Sequence, residues 1–203
     1  IDFEKHNYHF TDCQRAMMAT EKEKMITHIS NFRPVKRIQD IIRVFYEIQK
    51  EIPAKLMMVG EGPEKVPAEL LCKQLGIENK VVFFGKSHEI DKILCFSDLF
   101  LLPSEAESFG LAALEAMASG VPVISSNAWG ISEVNKQGVS GFLSNVGDID
   151  DMVKNALFIL KDDSILAKFK INAKKEAKQF DIHKIVPYYE AIYKEAMVNC
   201  ISI

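Results

Sequence analysis

"MITHISNFRPVKRIQDIIRVFYEIQKEIPAKLMMVGEGPE", residues 25–64, decides the fold. It opens on a short apolar run, "MITHIS" (25–30), that reads as a strand. Ile38, Ile41, Ile42, Phe45 and Ile48 then recur at helical spacing. "AKLMMVG" (54–60) is a second strand. Two strands joined by a helix-length crossover run parallel. The pattern repeats outward: strands are expected at 81–85, 99–103, 121–126 and 141–146. Helices are expected in "AELLCKQLG", with Gly76 as C-cap, in "EIDKILCFS", in the stretch 104–120 and in "ISEVNKQG".

Several of these strands are continuous apolar runs, the mark of a parallel sheet covered on both faces. The expected fold is α/β: a doubly wound, Rossmann-like parallel sheet of about six strands, followed by C-terminal helices. The expected organisation is a linker or N-terminal extension at 1–24, a Rossmann-like domain at 25–161 and C-terminal helices at 162–203. In such sheets ligands bind beyond the carboxyl ends of the strands. The informative segments are therefore 31–37, 60–64, 85–89, 103–110 and 127–133.

Composition narrows the function classes. The chain has 203 residues, is 48% hydrophobic and carries a net charge of −3. That is enough for one well-buried core, and no basic excess points to nucleic acid. Cys13, Cys72, Cys95 and Cys200 are scattered without a Cys-x-x-Cys pair, so neither a disulfide framework nor a zinc site is expected. No apolar run approaches the ~18 residues of a membrane span. "IDFEKHNYHF" does not read as a signal peptide. The abrupt start without Met is read as a piece of a longer chain. The expected location is the cytoplasm.

Three clusters carry candidate chemistry. Glu115 is the only charge between Gly110 and Gly120, and a buried carboxylate is costly unless paired or hydrogen-bonded. It reads either as a Glu on a narrow wet stripe or as a ligand for hydroxyls, a vicinal diol matching its two oxygens. Glu107 reads either as the acid of a capping box begun by Ser104 or as a second ligand. Ser108, Phe109, Gly110 and Leu111 would offer free backbone N–H groups at a helix start, an anion site by geometry. In "NFRPVKR", Arg33, Lys36 and Arg37 stand where strand hands over to helix. Cations there oppose the macrodipole by roughly 0.3–1 kcal/mol each. Three of them form either a solvated charge run or a seat for a strong anion such as a diphosphate. In "VGEGPE", Gly60-x-Gly62 is either a tight turn or part of a dinucleotide fingerprint whose third glycine is missing. No GxxxxGK[ST] occurs. A nicotinamide enzyme and a P-loop NTPase are both disfavoured.

Taken together, these motifs resemble the C-terminal, nucleotide-sugar-binding domain of retaining group 1 glycosyltransferases of the GT-B class. The family's Glu-x7-Glu is matched by Glu107 and Glu115, and its basic pair by Arg33 and Lys36. Its GxGPE is matched by Gly60 to Glu64. Its GGxxE…GxxG is matched in part by Gly130, Glu133, Gly138 and Gly141, with Trp129 where the first glycine is usual. The order covers roughly residues 25–160 and looks most like the bacillithiol-pathway branch, which uses UDP-GlcNAc and L-malate.

The resemblance implies a UDP-sugar donor, no cofactor and no metal. It implies that Glu115 binds ribose hydroxyls, that Glu107 holds the donor sugar, and that Arg33, Lys36 and the 109–111 amides hold the diphosphate. Either Lys36 or Arg37 is the second phosphate ligand. Uracil would lie near Gly85, Lys86, Ser87 and His88, and Gly62 would belong to the same site. The acceptor would sit on an N-terminal domain of the same full-length protein, so the fragment alone is expected to be inactive. The apolar face of the last helix (Ile185, Tyr188, Tyr189, Ile192, Tyr193) would pack back across the cleft, or merely cap the domain. Homo-oligomers are compatible with the sequence. The rival readings are a non-catalytic nucleotide-sugar module and another doubly wound protein, such as an oxidoreductase or a periplasmic-type sensor.

Overall fold

The computed structural model describes residues 1–3 and 15–201. Cys13 and the rest of residues 4–14 of the expected N-terminal extension lie outside the described residues. Six strands form one sheet: β1 (Lys24–Ile29), β2 (Ala54–Val59), β3 (Val81–Gly85), β4 (Leu99–Leu102), β5 (Val123–Ser126) and β6 (Gly141–Ser144). Their order is β3-β2-β1-β4-β5-β6, and every pairing is parallel. The six-stranded Rossmann-like expectation therefore holds. The chain moves outward from β1 in one direction, then returns to lay β4 on its other side. β1 and β4 flank the switch point where crossover helices diverge to opposite faces.

The apolar runs are apolar because both faces are covered. On one face Ile26, Leu56, Met58, Leu99, Leu101 and Ile124 meet α1 (Ile38–Glu51), α2 (Lys65–Gln74) and α6 (Ile149–Leu160). On the other, Phe100, Leu102 and Val123 meet α4 (Leu111–Ala118), which follows the short helix α3 (Ile90–Leu94) in the chain. The single turn α5 (Ile131–Val134) adds Ile131 and Val134 to that second layer. α7 (Asp163–Ala177) reaches both layers, contributing Leu166 and Phe169 to the first and Ala173 and Ala177 to the second. Its Lys170 and the Arg15 guanidinium both bind Asp98, which also accepts the Met25 amide. α8 (Ile182–Ile201) instead leaves Ile185, Tyr188, Tyr189, Ile192 and Tyr193 exposed.

Two local expectations change. The helix expected over 104–120 occupies only Leu111–Ala118, because Gly110 takes a left-handed φ of 85° and stops it there. Residues 104–110 form a loop instead, so no helix begins at Ser104 for a capping box to close. The helix of the opening stretch likewise begins at Ile38. A 3-10 turn, Pro34–Lys36, precedes it, and Arg37 stands at φ 51°.

Glycine at 60 is a geometric requirement. Its φ is 132°, and a Cβ there would fall 1.8 Å from the Ser30 carbonyl oxygen. The β2 loop thereby presses on the β1 loop, where the Phe32 amide donates to Glu61 (3.0 Å) and the Glu64 amide to Phe32 (2.9 Å). Gly76, the C-cap glycine, has φ 67° but open space where a Cβ would stand. Gly76→Ala should cost about 1–2 kcal/mol, the strain of a left-handed residue. Gly60→Ala should cost roughly twice that or more, because backbone must also move. Urea denaturation of the two variants checks the order; equal losses would contradict the packing argument.

Candidate functional site

All strands being parallel, every loop that follows a strand leaves at one edge of the sheet. At the switch point two of these loops meet. Lys36 Nζ donates to Glu107 Oε2 at 2.6 Å, and the Glu105 amide donates to the Val35 carbonyl at 2.8 Å. Lys36 and Glu107 are both largely buried, with side chains 18% and 14% exposed. Arg33 stands exposed on the same loop and makes no ion pair with a described residue. Arg37 is not brought to this pair: its Nε donates to Asp40 at 2.6 Å, and Arg43 binds the other Asp40 oxygen at 3.1 Å. Of the two candidate second cations, Lys36 faces Glu107 and Arg37 is folded back onto α1.

The N-terminus of α4 completes the arrangement. Its N-cap is Gly110, no side chain caps it, and no acid lies in its first turn. The leading amides of Leu111 to Ala113 have no intrahelical acceptor. Gly110 is fixed by Ile131, whose Cδ1 would lie 2.4 Å from a Cβ there. Phe109 is pinned edge-on against Phe180, ring centroids 5.6 Å apart, while Ser108 is exposed. Glu115 sits partly buried on the second turn of α4. An open helix N-terminus, a lysine and an exposed arginine together favour an anion. Glu107 adds an acceptor for hydroxyls beside them.

The other predicted residues line the same edge further out. Lys86 and His88 are exposed beyond β3, and Ser87 Oγ accepts the Glu89 amide at 3.0 Å. The β3 end is tied to β2 by the Gly60 amide donating to Gly85 (2.8 Å). At Gly62 the space a Cβ would take is occupied by the Phe32 backbone, its carbonyl oxygen 2.5 Å away. A groove of about 540 Å³ lies elsewhere, among α1, α2 and the start of α6. It presents Glu47, Asp148 and Asp150 against Arg43 alone, a poor seat for an anion.

Sequence reasoning missed His28. It is fully buried on β1, bonds Leu101 of β4 through Nδ1 (2.8 Å), and pairs Nε2 with Ser30 Oγ (2.7 Å). The carbonyl partner requires Nδ1 to carry the proton, so Nε2 accepts from Ser30. One neutral ring thus ties the two switch-point strands to the root of the basic loop. Its sequence signal is a polar residue inside an apolar strand, visible in "MITHIS".

A sequence profile of the family described as "Glycosyl transferases group 1" matches residues 13–176. The chain is 43% identical over 188 residues to N-acetyl-alpha-D-glucosaminyl L-malate synthase of Bacillus anthracis, covering 92% of the chain and 49% of that protein. It is 32% identical over 187 residues to an uncharacterized glycosyltransferase of Methanocaldococcus jannaschii, covering 91% and 48%. The chain thus spans about half the length of these relatives. Its fold superposes with a TM-score of 0.84 on Anabaena HepE crystallised with UDP-glucose, at 25% identity, covering 96% of the chain and 56% of HepE.

The His28 arrangement makes stability pH-dependent. Burial, the largest cause, lowers its pKa to about 4; the Leu101 bond opposes this and the Lys36 charge adds to it. The unfolded chain titrates near 6.5, so between those values it takes a proton that the folded state refuses. The contribution is complete above about pH 6.5 and is lost as pH falls towards 4, a total of about 3 kcal/mol. Asp98 behaves differently. Burial raises its pKa, but Lys170, the Met25 amide and Arg15 bring the net shift below 3.8, so its contribution persists until more acid conditions. Urea titrations at pH 7.0, 5.5 and 4.5 should show the loss, and His28→Asn should flatten it. An unchanged slope in the variant would contradict the assignment.

Proposed function

The chain belongs to the group 1 glycosyltransferases, and on that premise we propose that it is the half that binds the nucleotide-sugar donor of a retaining enzyme. The sugar transferred is N-acetylglucosamine and the acceptor L-malate, as the name of the 43%-identical relative suggests, so that with uridine as the nucleotide the donor is UDP-GlcNAc. HepE's complex with UDP-glucose supports a uridine donor. The observation that carries the reading is the Lys36–Glu107 contact, which brings the loop bearing Arg33 beside the open α4 N-terminus at the β1/β4 switch point.

Glycosyl transfer breaks the bond between the anomeric carbon and the diphosphate, so negative charge grows on departing UDP as the sugar becomes oxocarbenium-like. Arg33, Lys36 and the amides after Gly110 stabilise that charge where it develops, already oriented before the reaction. Glu107, beside Lys36, holds the sugar hydroxyls. Glu115 takes the ribose diol, and the loop after β3 receives uracil. The acceptor is held by an N-terminal half, against which the exposed apolar face of α8 packs. The protein acts in the cytoplasm without a metal.

Calorimetry tests this. UDP should bind more tightly than uridine, and Arg33→Ala or Lys36→Ala should each weaken UDP by roughly 1.5–3 kcal/mol, the scale of a hydrogen bond to a charged group. Uridine should be unaffected by either change. Equal affinity for UDP and uridine would overturn the diphosphate role. Glu115→Gln should weaken UDP and uridine in parallel, by a similar amount. Glu107→Gln should leave UDP nearly intact and weaken only the nucleotide sugar; loss of UDP binding instead would reassign it to the nucleotide.

A further inference from the structure

Trp129 is the only tryptophan in the sequence. It is 79% exposed, and it holds a left-handed φ of 57°, one of two non-glycine residues among those described to do so. Both features are unfavourable for a large aromatic side chain. Neither comes from a slack loop. The preceding Ala128 is buried, and Ser132 Oγ bonds back to the Trp129 carbonyl at 3.2 Å. The next amide, Gly130, donates to the Glu107 carbonyl at 3.0 Å. A Cβ on Gly130 would fall 2.0 Å from the Ser108 carbonyl oxygen. The loop after β5 is therefore fastened to the Glu107 loop, backbone against backbone. A solvent-facing indole is thus carried on a fixed, strained backbone one residue from the contact with Glu107.

The geometry points to Trp129 as a specificity-determining platform for the hexose ring of the donor, stacking on the ring's C–H face while Glu107 binds hydroxyls. The inference rests on the donor-binding reading above. An indole is large, rigid and apolar, with a polar edge that tolerates water. A pyranose offers the complementary surface, one face of C–H groups rimmed by hydroxyls. UDP without its sugar has nothing to place there. The residue would therefore separate nucleotide sugars from free nucleotide, a task that the cations and amides at the diphosphate cannot perform.

A single tryptophan makes the test direct. Titrating the protein with UDP-GlcNAc should change the intensity and emission maximum of Trp129 fluorescence, and saturating UDP should not. In calorimetry Trp129→Ala should weaken UDP-GlcNAc roughly 3- to 10-fold, the range of an aromatic contact, and leave UDP within twofold. Trp129→Phe should retain most of the sugar-dependent affinity. Trp129→Gly relieves the backbone, so it should melt at the same temperature or higher while losing the sugar preference; a purely structural tryptophan would lower the melting temperature instead. The proposal is overturned if calorimetry shows UDP-GlcNAc binding while Trp129 emission matches that with UDP. It is also overturned if Trp129→Ala weakens UDP and UDP-GlcNAc equally. Either result leaves the diphosphate site standing, whereas failure of UDP itself to bind removes both.

Discussion

Parallel pairing of all six strands is the constraint on which the rest depends. It sends every strand-to-helix loop to one edge of the sheet, and the reversal of direction at β1 leaves the β1 and β4 loops without a helix between them. Into that gap go Arg33, Lys36, Glu107 and the first turn of α4. No one of these residues makes an anion site alone. Two cations could be solvated, and a helix N-terminus is common. Their convergence is what topology supplies, and the short Lys36–Glu107 bond shows the two loops in register.

That convergence needs rigid supports, and they are mostly backbone. Gly60 and Gly130 each let a neighbouring carbonyl approach to a distance that a methyl group would forbid. The first locks the β2 loop beneath the basic loop, and the second locks the β5 loop onto Glu107 and Ser108. His28 contributes the remaining tie, between β1 and β4, and its burial keeps it neutral. A protonated ring in that position would add a second buried charge close to Lys36. The helices matter less for chemistry than for covering the sheet, apart from α4, which presents its N-terminus to the site.

The α/β class and the strand positions were legible because a sheet buried on both faces must be written in apolar runs such as "LFLLP" and "AKLMMV". The family was legible because several weak motifs occur in one order. Other features were not. Ser104 and Ser108 both read in sequence as places where a helix could start, and only the left-handed Gly110 of the folded chain puts the first helical residue at Leu111. Arg37 and Lys36 are adjacent in sequence, yet the left-handed turn at Arg37 sends their side chains to different partners, Asp40 and Glu107. Trp129 reads in sequence as a departure from a glycine motif; its exposure and its bond network to Glu107 through Gly130 are tertiary facts. Periodicity reports which face a residue occupies, but not which loops touch across a sheet edge.

The central claim is that a diphosphate is held at the β1/β4 switch point. The most direct measurement is amide chemical-shift mapping of the 15N-labelled chain during a UDP titration. The account predicts that the largest shifts fall on the Asn31–Arg37 loop and on Phe109–Ala113, where amides face the phosphates. Shifts confined instead to Gly147–Asp150 and the groove beside α1, with the α4 N-terminus unmoved at saturation, would contradict it.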